Sequence, residues 1–262
     1  MKLIVLASGS KGNATYIETE NAKILIDAGL SLSDLEARMR LVGINPHELS
    51  GVLVTHEHID HIKSVGALSR KYGIDVYAHE DVWEHIIRRS GFVGVKNQKI
   101  ISERGFYIND LDVSPFEVPH DSVHCFGFSL FNNNNKISLA TDIGQADDRT
   151  LKAMSRSDLI VLESNHDPHM LSCTKRPEQI KTRILSSRGH LSNAACAETL
   201  KQLLNQNVRG VILAHISEEA NTPELAYQSA VAALESVGAG RDVHIGIAPQ
   251  RHVGNVYKLK NR

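Results

Sequence analysis

One stretch decides the fold and the chemistry of this chain, and it reads Gly51-Val52-Leu53-Val54-Thr55-His56-Glu57-His58-Ile59-Asp60-His61. Its apolar first half is typical of a strand buried on both faces, and the histidines begin where that run stops. The pattern predicts a loop at the end of a core strand, the usual position of an active site in a layered α/β fold. Imidazole and carboxylate are ligands for zinc and related ions, so His56 and His58 can face one metal while Asp60 and His61 reach a second.

The composition of the whole chain is that of an ordinary soluble globular protein. It has 262 residues, of which 42% are hydrophobic and 23% charged, with a formal net charge of −1. Any contact with nucleic acid must therefore come from a local patch. Three widely spaced cysteines predict a reducing, cytoplasmic location, and no apolar run approaches the ~20 residues that span a bilayer, so no membrane partner is expected. The sequence leaves a homodimer open.

The order of the predicted elements indicates two sheets, each covered by helices on one face, in a single domain over residues 1–262. Lys2–Ala7 reads as the first strand, and the glycine-rich turn after it contains Ser10 and Asn13, which we select as candidate substrate-binding residues. The turn could offer N–H groups to a phosphate, although a plain hairpin turn is the stronger expectation. Ile62–Tyr72 reads as a helix, which places Asp60 and His61 at its N-terminus.

A two-metal centre needs more ligands than one motif supplies, and three further polar residues follow apolar runs. His120 follows Phe116–Pro119, Asp142 follows Ile137–Thr141 and His215 follows Val211–Ala214. Each would emerge at the end of a strand. Taken singly, such a residue is more often a turn or capping residue than a ligand, but together with the first motif they favour a shared centre.

The combination of His56-x-His58-x-Asp60-His61 with later His120, Asp142 and His215 resembles the metallo-β-lactamase superfamily over nearly the whole chain. The resemblance implies an α/β fold, the four-layer αβ/βα sandwich known as the metallo-β-lactamase fold. It also implies two divalent metal ions, with zinc as the first expectation and manganese or iron as alternatives. The implied ligands are His56, His58 and His120 for one metal, Asp60, His61 and His215 for the other, and Asp142 as the bridge.

Several further segments resemble the YycJ/WalJ branch of this superfamily. They are Leu6-Ala7-Ser8-Gly9-Ser10-x-Gly12-Asn13, Leu25-Ile26-Asp27-Ala28-Gly29-Leu30, Glu163-Ser164-Asn165-His166-Asp167, Gly189-His190-Leu191-Ser192-Asn193 and Leu213-Ala214-His215-Ile216-Ser217. That branch is associated with exonuclease-type phosphodiesterase activity, which implies DNA as the substrate. In such a mechanism two metals activate a bridging water as hydroxide, so we count Asp60 and Asp142 among the catalytic residues.

His190 is the third predicted catalytic residue, because a leaving alkoxide needs a proton or a hydrogen-bond donor. It precedes a predicted helix that begins at Asn193, and the free N–H groups of that helix end could hold a phosphate. We therefore include Asn193 among the substrate-binding candidates. The alternative makes His190 a turn residue and Ser192 the helix cap. We also include His166, just past a predicted strand, among the substrate-binding candidates, although a purely structural role is about equally expected.

A basic stretch, residues 175–188, leads directly to His190. It carries five cations and one acidic residue, and we select Lys181, Arg183 and Arg188 as candidate contacts to a nucleic-acid backbone. A solvated helix face is an equally good explanation of such a run.

These patterns leave three functional hypotheses. The first is a metal-dependent phosphodiesterase, a 5′-to-3′ exonuclease on DNA. The second is another hydrolase that uses the same centre, either a small-molecule phosphodiesterase or a thioesterase like glyoxalase II. The third is a regulatory relative with an inactive centre, and the complete ligand set argues against it.

Overall fold

The computed structural model describes residues 1–204, 208–239 and 243–260, which form two seven-stranded sheets. The strands of the first sheet are β1 (Lys2–Ala7), β2 (Ala14–Glu18), β3 (Lys23–Ile26), β4 (Gly51–Leu53), β5 (Val76–His79), β6 (Gln98–Ile101) and β14 (Val256–Lys258). Their order is β14-β1-β2-β3-β4-β5-β6. Pairing is antiparallel from β14 to β3 and parallel from β3 to β6.

The second sheet repeats this plan. Its strands are β7 (Phe106–Ile108), β8 (Leu111–Glu117), β9 (Phe126–Asn132), β10 (Asn135–Ala140), β11 (Leu159–Glu163), β12 (Gly210–Ala214) and β13 (His244–Ile247). Their order is β13-β12-β11-β10-β9-β8-β7, antiparallel from β7 to β10 and parallel from β10 to β13. The carboxyl ends of β10, β11 and β12 therefore lie side by side at one edge.

Helices cover the outer face of each sheet. They are α1 (Leu32–Leu41), α2 (Ile59–Ile62), α3 (Val65–Tyr72), α4 (Trp83–Ser90), α5 (Asp148–Met154), α6 (Pro168–Cys173), α7 (Glu178–Leu185), α8 (Asn193–Leu203) and α9 (Pro223–Ser236). Short 3₁₀ turns occupy Pro46–Glu48, Glu80–Val82 and Val95–Asn97. Within the described residues no helix is long and apolar enough to cross a membrane.

Three apolar layers hold the elements together, and β4 shows how. Successive residues of a strand point to opposite faces, so Leu53 packs between the sheets with residues such as Phe128 of β9. Its neighbour Val52 packs outward against Leu68 of α3. A third layer joins the second sheet to α5, α8 and α9, for instance through Leu200. The predicted four-layer αβ/βα sandwich is thereby confirmed, and both faces of β4 are buried as its apolar run predicts.

The predicted helix Ile62–Tyr72 is wrong at its start. The chain forms a one-turn helix, α2, and then the separate α3, so Asp60 and His61 lie inside the first of these and not at the N-terminus of a longer one. The break occurs at Ser64, whose N–H and hydroxyl both donate to the carbonyl of Ala28. This link to the end of β3 pulls the backbone out of helical geometry.

Candidate metal centre

All seven predicted metal ligands lie at one edge of the sandwich, where strands of both sheets end. His56 and His58 follow β4, Asp60 and His61 lie in α2, His120 lies in the β8–β9 loop, Asp142 follows β10 and His215 follows β12. Their potential ligand atoms form groups within 4.8 Å of one another, namely His56/His58/His120, Asp60/His61/His215 and His56/His61/Asp142. The first two groups contain the same residues as the two predicted ligand sets, and Asp142 contacts both.

The first group consists of three imidazoles turned edge to face. The ring planes of His56, His58 and His120 cross at 73–77°, with centroids 4.6–5.2 Å apart. His120 Nε2 lies 3.4 Å from His58 Nδ1. Rings inclined in this way can direct three nitrogen lone pairs at one point, which is the arrangement that a tetrahedral ion with one open position requires.

The second group combines two imidazoles with carboxylates. Asp60 Oδ2 lies 3.7 Å from His61 Nε2 and 3.9 Å from His215 Nε2. Asp142 connects the two groups, since its Oδ2 lies 3.0 Å from His61 Nε2 and its Oδ1 lies 3.9 Å from His120 Nε2. One carboxylate therefore faces nitrogen atoms of both groups.

Buried nitrogen atoms in both groups lack hydrogen-bond partners, and this tests whether the residues fit a metal ion. His56 Nε2 and His215 Nε2 are inaccessible to solvent, and neither has a hydrogen-bond partner among the described residues. A buried polar atom without a partner costs about 1–3 kcal/mol. Ligation of a cation would use both lone pairs, so the donor set fits divalent ions.

The carboxylates give this centre a negative environment. Burial alone would lower the pKa of His61, but attraction to Asp142 and Asp27 outweighs it and raises that pKa well above its usual value. Burial alone would also lower the pKa of His215, but Asp142 and Glu163 raise it well above its usual value. Such surroundings favour a bound cation.

The first group differs, because burial dominates there. Burial lowers the pKa of His120 to about 4 and the pKa of His56 well below its usual value. Both imidazoles are therefore neutral near pH 7, which is the form that ligates metals.

Asp27 orients His61, one of the predicted ligands, and the sequence pattern gave Asp27 itself no role. Its Oδ2 accepts from His61 Nδ1 at 2.7 Å, and its two oxygens accept from the N–H and hydroxyl of Thr55 at 2.8 and 2.9 Å. This contact fixes a proton on Nδ1, so Nε2, which faces Asp142, is the nitrogen of His61 that would ligate a metal. Asp27 follows an apolar strand, so the rule that found Asp142 could have found it.

Glu163, at the end of β11, has the same function for two histidines. Its Oε1 accepts from His215 Nδ1 at 2.7 Å and from His190 Nδ1 at 2.9 Å. Its Oε2 accepts from the backbone N–H groups of Ile143 and Leu191. Burial would raise the pKa of Glu163, but its contacts with His190 and His215 hold that pKa at about 2. The carboxylate is therefore anionic and accepts from four donors.

The predicted catalytic residue His190 lies beside both groups. Its ring centroid is 5.4 Å from that of His120 and 5.3 Å from that of His215, and its Nδ1 is 3.7 Å from Asp142 Oδ1. The side chain remains partly accessible, at 22% exposure. Because Nδ1 is bonded to Glu163, Nε2 is the nitrogen that can exchange a proton with a substrate.

Three of the predicted substrate-binding residues, Asn13, Asn193 and His166, are buried, which argues against direct contact with a substrate. Asn13 contacts His61 Nε2 at 2.9 Å and brackets Gly9 through both its amide oxygen and nitrogen. Asn193 is bonded to the side chains of Ser164 and Asn221, and Ser192 caps α8. Both asparagines therefore support the architecture of the centre and are not accessible to a substrate.

Ser10 and His166 occupy opposite environments. Ser10 is exposed in the turn after β1, where a substrate could reach it. His166 is only 1% exposed, burial lowers its pKa to about 4, and neither ring nitrogen has a partner. Its backbone carbonyl accepts from the N–H of Asn193, which ties it to the start of α8.

Each of the three cations selected from the basic stretch is held by a local partner. Lys181 is 12% exposed and its ammonium donates to Ser172 O and Glu178 Oε1, so it stabilises the α6–α7 corner and is not a free cation. Arg183 pairs with Asp121 beside His120. The guanidinium of Arg188 donates twice to the carbonyl of His120, at 2.9 and 2.8 Å.

A cavity of about 740 Å³ lies beyond the ends of β12 and β13, and its wall includes Ile216, the residue after His215. Apolar walls include Ile216, Ile247 and Pro249, and Glu218 and Arg251 lie at its polar margin. Its volume is that of a ligand pocket.

Another group of potential ligands, His79, Asp81 and His124, lies outside the centre. The two imidazoles are stacked in parallel, with centroids 3.6 Å apart and 3° between their planes. An imidazole ligates in the plane of its ring, and two parallel planes share no point. This pair therefore has a geometry unlike that of the three edge-to-face imidazoles.

Comparison with known proteins places this geometry in context. Residues 22–216 match a family model described as a β-lactamase superfamily domain. The chain is 40% identical over 238 residues to the exodeoxyribonuclease YycJ of Bacillus anthracis, covering 90% of each protein. It is 37% identical over 243 residues to the exodeoxyribonuclease WalJ of Streptococcus pneumoniae, covering 91% of this chain and 90% of that protein. The crystal structure of the metallo-β-lactamase fold protein YhfI from Bacillus subtilis superposes with a TM-score of 0.73 at 16% identity, covering 98% and 99% of the two chains.

Proposed function

The chain belongs to the β-lactamase superfamily with the metallo-β-lactamase fold, and from this premise we propose that it is a two-metal phosphodiesterase that degrades DNA from an end. The resemblance drawn from the histidine-rich stretch is confirmed, and so is the class of metal-dependent hydrolase. The proposal adds the number of metals, the substrate and the direction of attack.

One observation carries the two-metal proposal: two convergent donor groups are joined by a single carboxylate. His56, His58 and His120 would hold one ion, Asp60, His61 and His215 the other, and Asp142 would contact both. The chemistry that two divalent ions supply when bound is Lewis acidity, which activates water and stabilises charge on a phosphate. The histidine-rich donors favour zinc, and the carboxylates also suit manganese or iron.

His190 would donate a proton or a hydrogen bond to the leaving oxygen. Glu163 Oε1 accepts a hydrogen bond from His190 Nδ1, and these two atoms are 2.9 Å apart. The imidazole ring of His190, which is partly exposed, is therefore fixed, and its Nε2 is the nitrogen available to a substrate. Proton transfer by such a positioned imidazole is worth about 10²–10⁴-fold in rate. Glu163 thus positions a proposed catalytic histidine and a proposed ligand, His215, with one oxygen.

The names of the relatives support DNA as the substrate. Both are exodeoxyribonucleases, and each aligns along about nine-tenths of this chain. A small-molecule phosphodiesterase or a glyoxalase II-like thioesterase is the second candidate, because the same donor groups could serve it. We further propose a single domain over residues 1–262 and a cytoplasmic location, which the free thiols of Cys125, Cys173 and Cys196 support.

A substrate panel with metal-reconstituted protein tests this proposal. We expect metal-dependent shortening of linear single-stranded or duplex DNA with defined 5′ ends, loss of activity with a chelator, and resistance of a closed single-stranded circle. RNA, a cyclic nucleotide and a thioester complete the panel. Hydrolysis of the thioester or cyclic nucleotide without cleavage of DNA would support the second candidate and refute the first.

The two cations of α7 are expected to behave differently when replaced. Lys181→Ala should lower the free energy of unfolding by about 1 kcal/mol, because it removes the bond to Ser172 O, and should change DNA cleavage by less than about twofold. Arg183→Gln should reduce the slope of log affinity for DNA against log salt by about one, since an exposed cation beside His120 is lost. Denaturant unfolding and salt-dependent binding measure the two effects. An unchanged salt slope in Arg183→Gln would remove this residue from the proposed DNA contact.

A further inference from the structure

A second, smaller cavity of about 310 Å³ lies on the His120 side of the centre. The β8–β9 loop, α5 and the segment before His190 enclose it. The side chains that matter for its chemistry are Glu117, His120, Ser122, His124, Arg149 and Arg188. Its wall therefore includes one proposed metal ligand, His120.

Two polar atoms in this wall are buried and have no hydrogen-bond partner in the part of the chain that the structure describes. They are Ser122 Oγ and His124 Nε2. The nearest carboxylate oxygen to His124 Nε2, Glu117 Oε1, is 3.7 Å away, which is beyond hydrogen-bond distance. Buried hydroxyl and imidazole groups are nearly always bonded, so this pair indicates a ligand with acceptor atoms.

Two guanidinium groups face the same cavity. Arg188 donates from Nε and Nη2 to the carbonyl of His120. These two bonds fix the guanidinium and leave Nη1 to donate to a ligand. Arg149 pairs with Glu117 Oε2 at 2.9 Å and with Asp147 Oδ2 at 3.5 Å, and its side chain is 65% exposed. Glu117 is the only carboxylate among the described residues that line the cavity, but Asp147 also pairs with Arg149. Arg188, which donates to a carbonyl oxygen, therefore supplies the positive charge that is not balanced locally.

We propose that this cavity binds a terminal phosphate monoester of the DNA strand, an inference that rests on the proposed function. A monoester has three free oxygens and nearly two negative charges, whereas an internal diester has two free oxygens and one charge. Two guanidiniums, a hydroxyl and an imidazole N–H match the monoester. His120 belongs to both the cavity and the metal centre. A terminal phosphate bound in the cavity would therefore place a nearby phosphodiester linkage beside the two groups of proposed metal ligands.

Replacing Glu117 should change the affinity for a phosphorylated end in the opposite direction to the other substitutions. Its carboxylate occupies Arg149 and repels an incoming phosphate, so Glu117→Gln should bind a phosphorylated end more tightly, by roughly threefold to tenfold. Arg149→Gln and Ser122→Ala should each weaken that binding, the former by roughly tenfold, since charge-assisted hydrogen bonds are lost. Lys152→Gln is the matched control, because it removes one cation from an exposed position of the same helix, α5.

Fluorescence anisotropy with a short labelled single-stranded oligonucleotide measures these effects. The probes carry a 5′-phosphate, a 3′-phosphate or no terminal phosphate, and a chelator prevents cleavage. We expect tighter binding of one phosphorylated end than of the hydroxyl probe, a preference reduced by Arg149→Gln and Ser122→Ala, increased by Glu117→Gln and unchanged by Lys152→Gln. Equal affinity for all three probes, or no response to Glu117→Gln, would overturn the proposal.

The outcome separates this inference from the proposed function. If the protein cleaves DNA but shows no terminal-phosphate preference, the cavity assignment is wrong and the nuclease assignment stands. If it prefers a phosphorylated end but hydrolyses no phosphodiester, the subsite stands and the nuclease assignment is wrong.

Discussion

Asp142→Asn is expected to lower phosphodiester hydrolysis by on the order of a thousandfold or more, the largest effect of any single substitution in this chain. The carboxylate is 2% exposed, and its two oxygens face His61 and His120. Asparagine keeps the shape but loses the charge, and its NH₂ group must face one of these two nitrogens. The variant therefore cannot contact two cations as the carboxylate could.

Metal content gives a measurement independent of activity. Elemental analysis after reconstitution should give two ions per wild-type chain and one or fewer for Asp142→Asn, while far-ultraviolet circular dichroism should be unchanged. Asp148→Asn, at an exposed position of α5, is the matched control and should keep both metals and full activity. Two retained ions together with wild-type hydrolysis in Asp142→Asn would refute the bridging role.

The sequence could predict that the proposed ligands lie together because one physical rule governs their positions. A polar residue that directly follows a buried strand must emerge at the sheet edge, and parallel strands bring those edges together. Asp142 after β10 and His215 after β12 satisfy the rule, and both have left-handed backbones, with φ of 55° and 54°. Such strained conformations in residues other than glycine concentrate at functional sites, but no local sequence pattern specifies them.

The parts that sequence could not supply depend on contacts between distant segments. The bond from Ser64 to Ala28 divides the predicted helix, and the two residues are 36 positions apart. Lys181 is a cation in a basic stretch, as a DNA contact would be, yet its ammonium donates to Ser172 O at the α6–α7 corner. Charge can be counted along a chain, but whether a charge is free depends on tertiary neighbours that the count does not include.

Glu163 shows a different limit, since the strand-end rule applies to it but does not reveal its function. Glu163 is fully buried, and each of its oxygens accepts two hydrogen bonds. Oε1 accepts from His190 and His215. Oε2 accepts from the backbone N–H groups of Ile143 and Leu191. An ionised carboxylate can accept on both sides. A glutamine amide cannot, because its NH₂ group must point at donors on one side or the other.

Glu163→Gln is therefore expected to reduce kcat/KM by about 10–100-fold, the usual cost of losing a partner that orients a metal-ligating histidine. It should also weaken metal affinity, which a purely structural defect far from the centre would leave unchanged. Competition with a chromophoric chelator measures that affinity. Glu36→Gln is the control, because it removes a carboxylate that pairs with Lys71 and Tyr72 on the outer layer and should lower stability without changing metal affinity.

The pH dependence of stability provides the second readout for Glu163→Gln. Contacts with the two histidines depress the pKa of Glu163 from 4.5 to about 2, so the folded state binds this proton less readily than the unfolded state. The resulting stabilisation is fully present above pH 4.5 and is lost as the pH falls towards 2. The gap in unfolding free energy between wild type and Glu163→Gln should therefore be largest near neutrality and narrow across that interval. A gap that is constant with pH would show that the charge of Glu163 does not hold His190 and His215 in place.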